Sequence, residues 1–312
     1  YLKNNPIGGS NDFITSPEIS QMFGESFTIF LINYWEKKIK TNFNLVELGP
    51  GKGTLLNDIL RTSSINKKFL NSINLTLIEK NKSLIKIQKN IVDFESISWS
   101  KEFKVNNKNI PSIIYSNEFF DCFPVRQFHK KDKWFEKYVA FNEDEQNFTF
   151  VSRQVQDNTI LQSLAKFENV KVAEIAHSRD EYFKSICKFI KEHKGVFITI
   201  DYGYKNPPDY FSLQTVYHHK KTHLFENIGN QDITAHVNFD ALLFIANQYN
   251  LKIDTFCSQR DFLISSGIEE RMKNLQKNKN QEDIRNLNSA YNRLVSNSQM
   301  GEIFKVLVIS CF

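Results

Sequence analysis

The stretch NLVELGPGKGTLLNDIL, residues 44–60, constrains this chain more than any other: an apolar run ends on three closely spaced glycines and passes straight into a helix-like pattern. The run reads as a buried strand, the glycines as a tight turn and the amphipathic segment as a helix. Gly49, Gly51 and Gly53 free the backbone to turn sharply and let a ligand approach the main chain closely. A phosphate loop needs Lys and then Ser or Thr after its last glycine. Here Gly53 is followed by Thr54 and Leu55, which argues against a nucleoside triphosphate. The dinucleotide fingerprint G-x-G-x-x-G also differs from the spacing found, G-x-G-x-G preceded by the acid Glu47.

The same strand-then-helix rhythm continues downstream. NLTLIEK (74–80) reads as a second strand, KSLIKIQKNIV as a helix, ISW (97–99) as a short third strand, and NIPSIIYSNEFF (109–120) as the carrier of a fourth. A helix over about 178–193 precedes the strand GVFITID (195–201). NFDALLFIANQYN (238–250) is helical by period, LKIDTFCS is a strand, about 260–296 is helical, and GEIFKVLVISC closes the chain as a strand. Alternation of this kind predicts an α/β fold, a mostly parallel sheet with helices on both faces. Between about 125 and 152 aromatic and β-branched residues alternate with charges around polar turns, which predicts an antiparallel β insertion at one sheet edge. With no internal repeat or low-complexity linker, residues 1–312 are expected to form a single domain carrying that insertion.

Acids stand where the strands end. Glu79 closes the second strand, a position from which a carboxylate accepts hydrogen bonds from both ribose hydroxyls. The G-x-G-x-G spacing resembles the first motif of class I S-adenosylmethionine-dependent methyltransferases, although a dinucleotide would want the same acid. YSNEFFDCFPVRQF (115–128) places Asn117, Glu118 and Asp121 at the carboxyl end of the fourth strand, the edge where open α/β sheets bind ligands. Two carboxylates three residues apart around a turn can converge on one group, and their best partner is a planar, permanently charged guanidinium. The plainer alternative is that Asn117 and Asp121 cap the turn while Glu118 pairs with a surface Lys or with Arg126. In TAHV, His236 precedes a helix, where it either orients a carboxylate or packs and caps.

Composition excludes several classes. No apolar run approaches the roughly 18 residues of a membrane span, so no transmembrane segment is expected. The net charge is +5, but the basic residues lie in short scattered groups rather than a stripe or a reader motif, which argues against nucleic-acid binding. Cys122, Cys187, Cys257 and Cys311 are far apart and form no C-x-x-C pair, so reduced thiols fit better than a disulfide framework or a zinc site. The histidines of HHKKTH (218–223) lack the cysteine or patterned acid that would make a metal site, and no metal is expected.

Several blocks together resemble one family, the MidA-like S-adenosylmethionine-dependent methyltransferases, whose mitochondrial members serve respiratory complex I assembly. The blocks are NPIGGSNDFITSPEISQMFGE (5–25), VELGPGKGTLLNDILR (46–61), YSNEFFDCFPVRQF (115–128), ITIDYGY (198–204), DITAHVNFDAL (232–242) and MGEIFKVLV (300–308). The resemblance implies a class I, Rossmann-like methyltransferase fold, S-adenosylmethionine as cofactor, and methylation of an arginine in a protein substrate, a complex I subunit or its homologue. It implies that Glu47, Gly49, Gly51, Gly53, Thr54 and Glu79 hold the cofactor. It also implies that residues 1–42 form a helical lid bringing Asp12, Thr15 and Glu18 onto the cofactor, and that Asn117, Glu118, Asp121 and His236 face the reacting centre. Ser16-Pro17-Glu18 also reads as a helix start, with a hydroxyl cap and a proline in the first turn. Lys52 stands where the family commonly shows Arg, and Asn11 where Gly is expected. The expected location is the cytoplasm of a bacterium or, alternatively, the mitochondrial matrix. Competing readings are a methyltransferase for another protein side chain or a small molecule, a nicotinamide dehydrogenase, and a non-catalytic assembly chaperone that keeps the fold.

Overall fold

The computed structural model describes residues 15–312, apart from Glu168 and His219. Asp12, Asn11 and the rest of the expected cover up to residue 14 lie outside the described residues. The described chain opens with α1 (Ser16–Ile19) and α2 (Gln21–Lys38), followed by β1 (Phe43–Leu48), α3 (Thr54–Ser63) and α4 (Lys67–Asn71). Next come β2 (Ile73–Ile78), α5 (Lys82–Ile91), β3 (Ile97–Ser100) and β4 (Ser112–Asn117). These strands and β9 (Gly195–Tyr204) pair in parallel, in the order β3-β2-β1-β4-β9. The sheet is completed by β14 (Lys252–Ser258) and β15 (Phe304–Cys311), in the order β9-β15-β14. β15 runs antiparallel to both neighbours. A two-residue strand, β13 (Val237–Asn238), adds parallel to the end of β9.

Each central strand is buried on both faces, so its sequence is a continuous apolar run rather than an alternation. The alternation appears instead in which core a side chain enters. Leu45, Ile113, Val196, Ile198, Val306 and Val308 face the core built with α2, α3 and the later helices α9 (Gln259–Ser265), α10 (Ile268–Gln276) and α11 (Gln281–Val295). Val46, Ile114, Phe197, Leu307 and Ile309 face the opposite core, under α7 (His177–His193) and α8 (Phe239–Gln248). This is the mostly parallel α/β sheet with helices on both faces that the alternating pattern predicts.

The insertion is larger than expected, and it forms a sheet of its own rather than extending an edge of the main sheet. β5 (Arg126–Lys130), β6 (Trp134–Asn142) and β7 (Asn147–Gln154) form the antiparallel meander, but a fourth strand, β8 (Val172–Ile175), pairs with β5 after the intervening helix α6 (Asn158–Leu164). Beside it stands a three-stranded sheet with no counterpart in the sequence reading, formed by β10 (Gln214–Tyr217), β11 (Lys220–Thr222) and β12 (Asp232–Thr234). These strands have three or four residues and carry several charged or polar side chains, too short to show a period. The helical stretch expected over 260–296 is three helices. The first break falls at Gly267, whose φ of 83° is left-handed, and the second precedes the cap Asn280.

α2 crosses α3 at a glycine. A Cβ on Gly24 would sit 2.5 Å from Cβ of Asp58. The next residue, Glu25, is buried and accepts from Arg61 of α3 at 2.8 Å and Arg271 of α10 at 2.6 Å, which ties three helices together. Those guanidinium bonds hold the Glu25 carboxyl below its ordinary range although burial pushes it upward. Gly24→Ala is therefore expected to destabilise the protein despite the better helix propensity of alanine, by about 1–3 kcal/mol, because Cβ of Asp58 is fixed to its helix and cannot swing away. The check is the thermal unfolding midpoint, and an unchanged or higher midpoint would contradict this crossing.

Candidate functional site

The order of the parallel strands reverses at β1, between β2 and β4, so a crevice opens beyond the carboxyl ends of β1 and β4. The glycine turn fills one side of it. Gly49, Gly51 and Gly53 all have positive φ, and Gly53 in left-handed geometry precedes the first residue of α3, Thr54. A Cβ on Gly49 would lie 2.7 Å from the Phe119 ring, so that position is closed to larger residues by the loop after β4 as well as by its own backbone. Glu47 is buried near the end of β1 and accepts from the Tyr115 hydroxyl of β4 at 3.1 Å. Burial, opposed by that hydrogen bond and reinforced by the nearby Glu79 charge, pushes its carboxyl up to about 8.

On the β2 side, Glu79 is buried and held from two directions. The Asn81 N–H donates to its Oε1 at 2.8 Å and the Gln88 amide lies 3.4 Å from its Oε2. Burial raises this carboxyl above its ordinary range against the backbone donors of Asn81 and Lys80 and the amide of Gln88. Gln88 was missed in the sequence. It is fully buried on α5, donates to the Gly51 carbonyl at 2.7 Å, and accepts from the Trp99 indole at 3.0 Å. Its side chain thus links the glycine turn to the acid at the end of β2. The available signal was a lone polar residue on the apolar face of KSLIKIQKNIV, which without tertiary contacts reads as a helix surface position.

The turn after β4 is shaped by another buried acid. Asp201 of β9 collects four backbone N–H groups: Phe119, Phe120 and Asp121 on Oδ2 at 3.1, 2.8 and 3.3 Å, and Tyr202 on Oδ1 at 2.9 Å. Burial, with the Asp121 charge beside it, raises the Asp201 carboxyl above its usual range against these donors. Drawn in this way, the turn leaves Glu118 at φ 49°, a left-handed conformation that costs a non-glycine residue about 1 kcal/mol or more. Glu118 Oε1 accepts from the Ser16 N–H at 2.8 Å and the Asn117 amide at 3.0 Å. Burial first, opposed by the Ser16 donor and reinforced by Asp121, pushes Glu118 up to about 7. Burial pushes Asp121 up to about 6 against a hydrogen bond from the Tyr202 hydroxyl.

The plainer alternatives for this turn are not what the structure contains. Arg126 is bound to Glu136 by two bonds of 2.6 Å, so it is not a partner for Glu118. The Asp201 carboxylate, rather than Asn117 or Asp121, caps the turn. Ser16 does not cap its helix through the hydroxyl. It is the first residue of α1, its N–H is taken by Glu118, and its Oγ lies 3.5 Å from Gln259 Oε1. Ser20 supplies a side-chain cap instead, to the second helix, because the helix begun at Ser16-Pro17-Glu18 ends at Ile19. His236 does not cap α8 either, since Asn238 does. The His236 ring stands edge-on to Tyr202 at 5.5 Å, the backbone N–H of His236 donates to Ser212 Oγ at 2.9 Å, and burial lowers the imidazole pKa.

Two cavities meet at this turn. The first, about 330 Å³, is lined by Glu18, Glu47, Gly49, Gly51, Lys52, Thr54, Glu79, Asn117 and Glu118, with the rings of Phe119, Phe123 and Tyr182 as one wall. The second, a more open cleft of about 780 Å³, is lined by Asp121, Tyr202, Tyr210, Asp232, His236 and Phe304 among others. Thr15 and Glu118 line both. Of the sequence candidates, the structure therefore brings seven to the first cavity alone, Asp121 and His236 to the second, and Thr15 and Glu118 to the boundary. Gly53 is buried behind the turn, where a Cβ would meet Val92 at 3.1 Å. Two buried oxygens, Glu18 Oε2 and Asn117 Oδ1, have no hydrogen-bond partner among the described residues. Both belong to residues lining the first cavity, and both ask for a donor such as an ammonium or a hydroxyl. Lys52 Nζ, 3.6 Å from Glu18 Oε1, offers a cation at the same end. No group of three or more metal-ligating residues occurs among the described residues.

Comparison with known proteins agrees with this geometry. A family model described as "Putative S-adenosyl-L-methionine-dependent methyltransferase" matches residues 27–257. The chain is 30% identical to the human protein arginine methyltransferase NDUFAF7, mitochondrial, over 99% of this chain and 76% of that one. It is likewise 30% identical to the Caenorhabditis elegans homolog, over 96% and 75% of the two chains. The crystal structure of a COG1565 superfamily member from Burkholderia thailandensis, bound to S-adenosyl-homocysteine, superposes with a TM-score of 0.84 at 22% identity, covering 98% of this chain and 82% of that one. On the extent of the family match and of the human relative, this chain belongs to the S-adenosyl-L-methionine-dependent methyltransferase family.

Proposed function

We propose that this enzyme methylates an arginine side chain of a protein, a respiratory complex I subunit or its homologue, in the mitochondrial matrix. The relatives above are named protein arginine methyltransferases and mitochondrial, and complex I assembly is what the MidA-like resemblance implies. No helix among the described residues is long and apolar enough to cross a membrane. The observation that carries the reading is the position of Glu118, which lines both the cavity of the glycine turn and the open cleft that holds Asp121.

The first cavity suits S-adenosylmethionine. Glu79 accepts from ribose hydroxyls, the aromatic wall of Phe119, Phe123 and Tyr182 suits a flat base, and Glu18 Oε2 with Asn117 Oδ1 accepts from an amino-acid ammonium whose carboxylate pairs with Lys52. The cavity contains several acids, and burial raises Glu47, Glu79 and Glu118, so a cationic ligand is favoured there electrostatically. Bound in this place, the cofactor supplies an already activated methyl group, so the protein mainly has to align the nucleophile.

In the cleft, Glu118 and Asp121 hold N–H groups of the guanidinium. Their charges draw its delocalised cation toward the bound nitrogens and leave the remaining nitrogen as nucleophile. The Asp201 cage and the Ser16 N–H fix this pair. As the new nitrogen–carbon bond forms, a guanidinium proton has to leave, and Glu118, with a carboxyl raised to about 7, is placed to take it.

Both carboxyls must be ionised to hold the guanidinium, whereas the arginine stays charged throughout. Protonation thus removes activity as pH falls, and kcat/KM is expected to rise with pH across about 6 to 7. Glu118→Gln should lower kcat/KM about a hundredfold or more and abolish the component near pH 7. Mass spectrometry of arginine methylation on a complex I subunit homologue, over a pH series, measures both; undiminished methylation by the variant would remove the clamp. Gln88→Leu is expected to weaken S-adenosylmethionine binding about tenfold in calorimetry with little change in kcat, because it unties Gly51 from Glu79 without touching the cleft. An unchanged affinity would show that this link does not shape the cavity.

A further inference from the structure

The open cleft does not end at the acids. Its far wall is made by Phe211, Leu213, Gln214 and Lys221, and the same four residues form one side of a further hollow of about 290 Å³ lined by Lys137, Phe150 and Leu224. The two hollows share these four lining residues and so lie side by side, and the pair, the furrow, reaches from Glu118 to Lys137 and Phe150 of the β insertion. At its end lies an aromatic cluster. Phe150 packs at a tilt against Phe225, ring centres 4.9 Å apart, Phe148 lies 6.0 Å from Phe225, and Phe141 is 5.2 Å from Phe148. These rings are not core. Phe141, Phe148 and Phe150 keep 49%, 41% and 37% of their surface exposed. β7, which carries two of them, is an edge strand, and among the described residues no strand pairs with its outer side. A long edge bearing aromatic side chains is a surface that proteins ordinarily cover.

The furrow also has an electrical direction. Its inner cleft holds three acids, Glu118, Asp121 and Asp232, against one cation, Arg293, whereas the shared wall and beyond carry Lys221 and Lys137, the latter ammonium lying 4.0 Å from the Phe150 ring centroid and 4.6 Å from that of Phe211. An arginine is attracted to the inner end and repelled from the outer one, while an apolar segment of the same chain meets a group of exposed phenylalanine rings at the outer end.

We infer that the furrow and the Phe148–Phe150–Phe225 cluster form the docking surface for the protein substrate, which seats an apolar segment on the rings while its arginine reaches Glu118 and Asp121. This rests on the arginine reading above and adds the recognition element to it. An enzyme so built selects its target by a segment distant from the modified residue. Free arginine and short arginine peptides then lack most of the binding free energy, as expected when a few aromatic anchors dominate an interface.

Two synthetic peptides test it: a short one with arginine flanked by glycines, and a longer one in which a glycine–serine spacer joins that arginine to a Phe-Val-Phe segment. Fluorescence anisotropy of the labelled long peptide should show binding to the wild-type enzyme and about tenfold weaker binding to the Phe148→Ser/Phe150→Ser variant. Phe225→Ser, on the facing loop, should reproduce the loss and so separate lost contact from a misfolded hairpin. In methyl-transfer assays with S-adenosylmethionine the same variants should raise KM for the long peptide about tenfold and leave kcat, and all turnover of the short peptide, unchanged. Absence of binding by the wild type, or equal binding by all three proteins, overturns the docking surface. Cluster-dependent binding with neither peptide methylated would keep the docking surface and remove the arginine reading. Methylation of both peptides that is indifferent to the cluster would do the reverse.

Discussion

The site depends on one buried carboxylate. Asp201 lies at the end of β9, fully buried, and turns four consecutive or neighbouring backbone N–H groups toward itself. Without it, three amides after β4 would point into a low-dielectric region with nothing to bind, at a cost of one to several kcal/mol each. With it, the chain turns within three residues, accepts a left-handed conformation at Glu118, and sets Glu118 where the two cavities meet, with Asp121 beside it in the open cleft. The strain at Glu118 persists because the surrounding bonds over-determine it, the usual circumstance of strained residues in functional sites.

Around that turn the protein concentrates acids that have few cations of their own. Glu47, Glu79, Glu118, Asp121 and Asp201 are all raised by burial, and among the described residues the ion pair at the cavity is Lys52 with Glu18. Two buried acids elsewhere are paired with cations: Glu25 with Arg61 and Arg271, Glu136 with Arg126. The contrast is physically informative, since unpaired carboxyls in a crevice are expensive unless a positive ligand arrives. A methyl-bearing sulfonium, an amino-acid ammonium and a guanidinium are all positive, so in the proposed reaction one electrostatic design serves both the donor and the acceptor of the methyl group. The insertion supplies the opposite character, exposed rings and lysines, and so gives the furrow two chemically distinct ends.

What was legible in the sequence was local or periodic. Strand, glycine turn and helix over 43–63 lie in one stretch of chain, and the parallel sheet follows from apolar runs spaced by helical segments. The acids Glu79 and Glu118 could be read because strand ends in an open α/β sheet share one edge. Short polar strands such as β11 and the split of the last helical region left no comparable signal, because three residues cannot show a period and a single glycine can either tolerate or break a helix.

The sequence by itself determined the strand order's raw material, the turn that brings backbone close to a ligand, and the residue types that meet a cation, because each rests on neighbours within a few positions. Only the tertiary structure decided that Gln88 on α5 joins the turn to Glu79, that Asp201, 80 or more residues from the β4 turn, shapes it, and that the Ser16 N–H reaches across 102 positions to Glu118. Those contacts depend on the register of β1 against β4 and β4 against β9 and on where α1 and α5 dock. Register and docking are set by packing over the whole core, which no local stretch of sequence contains.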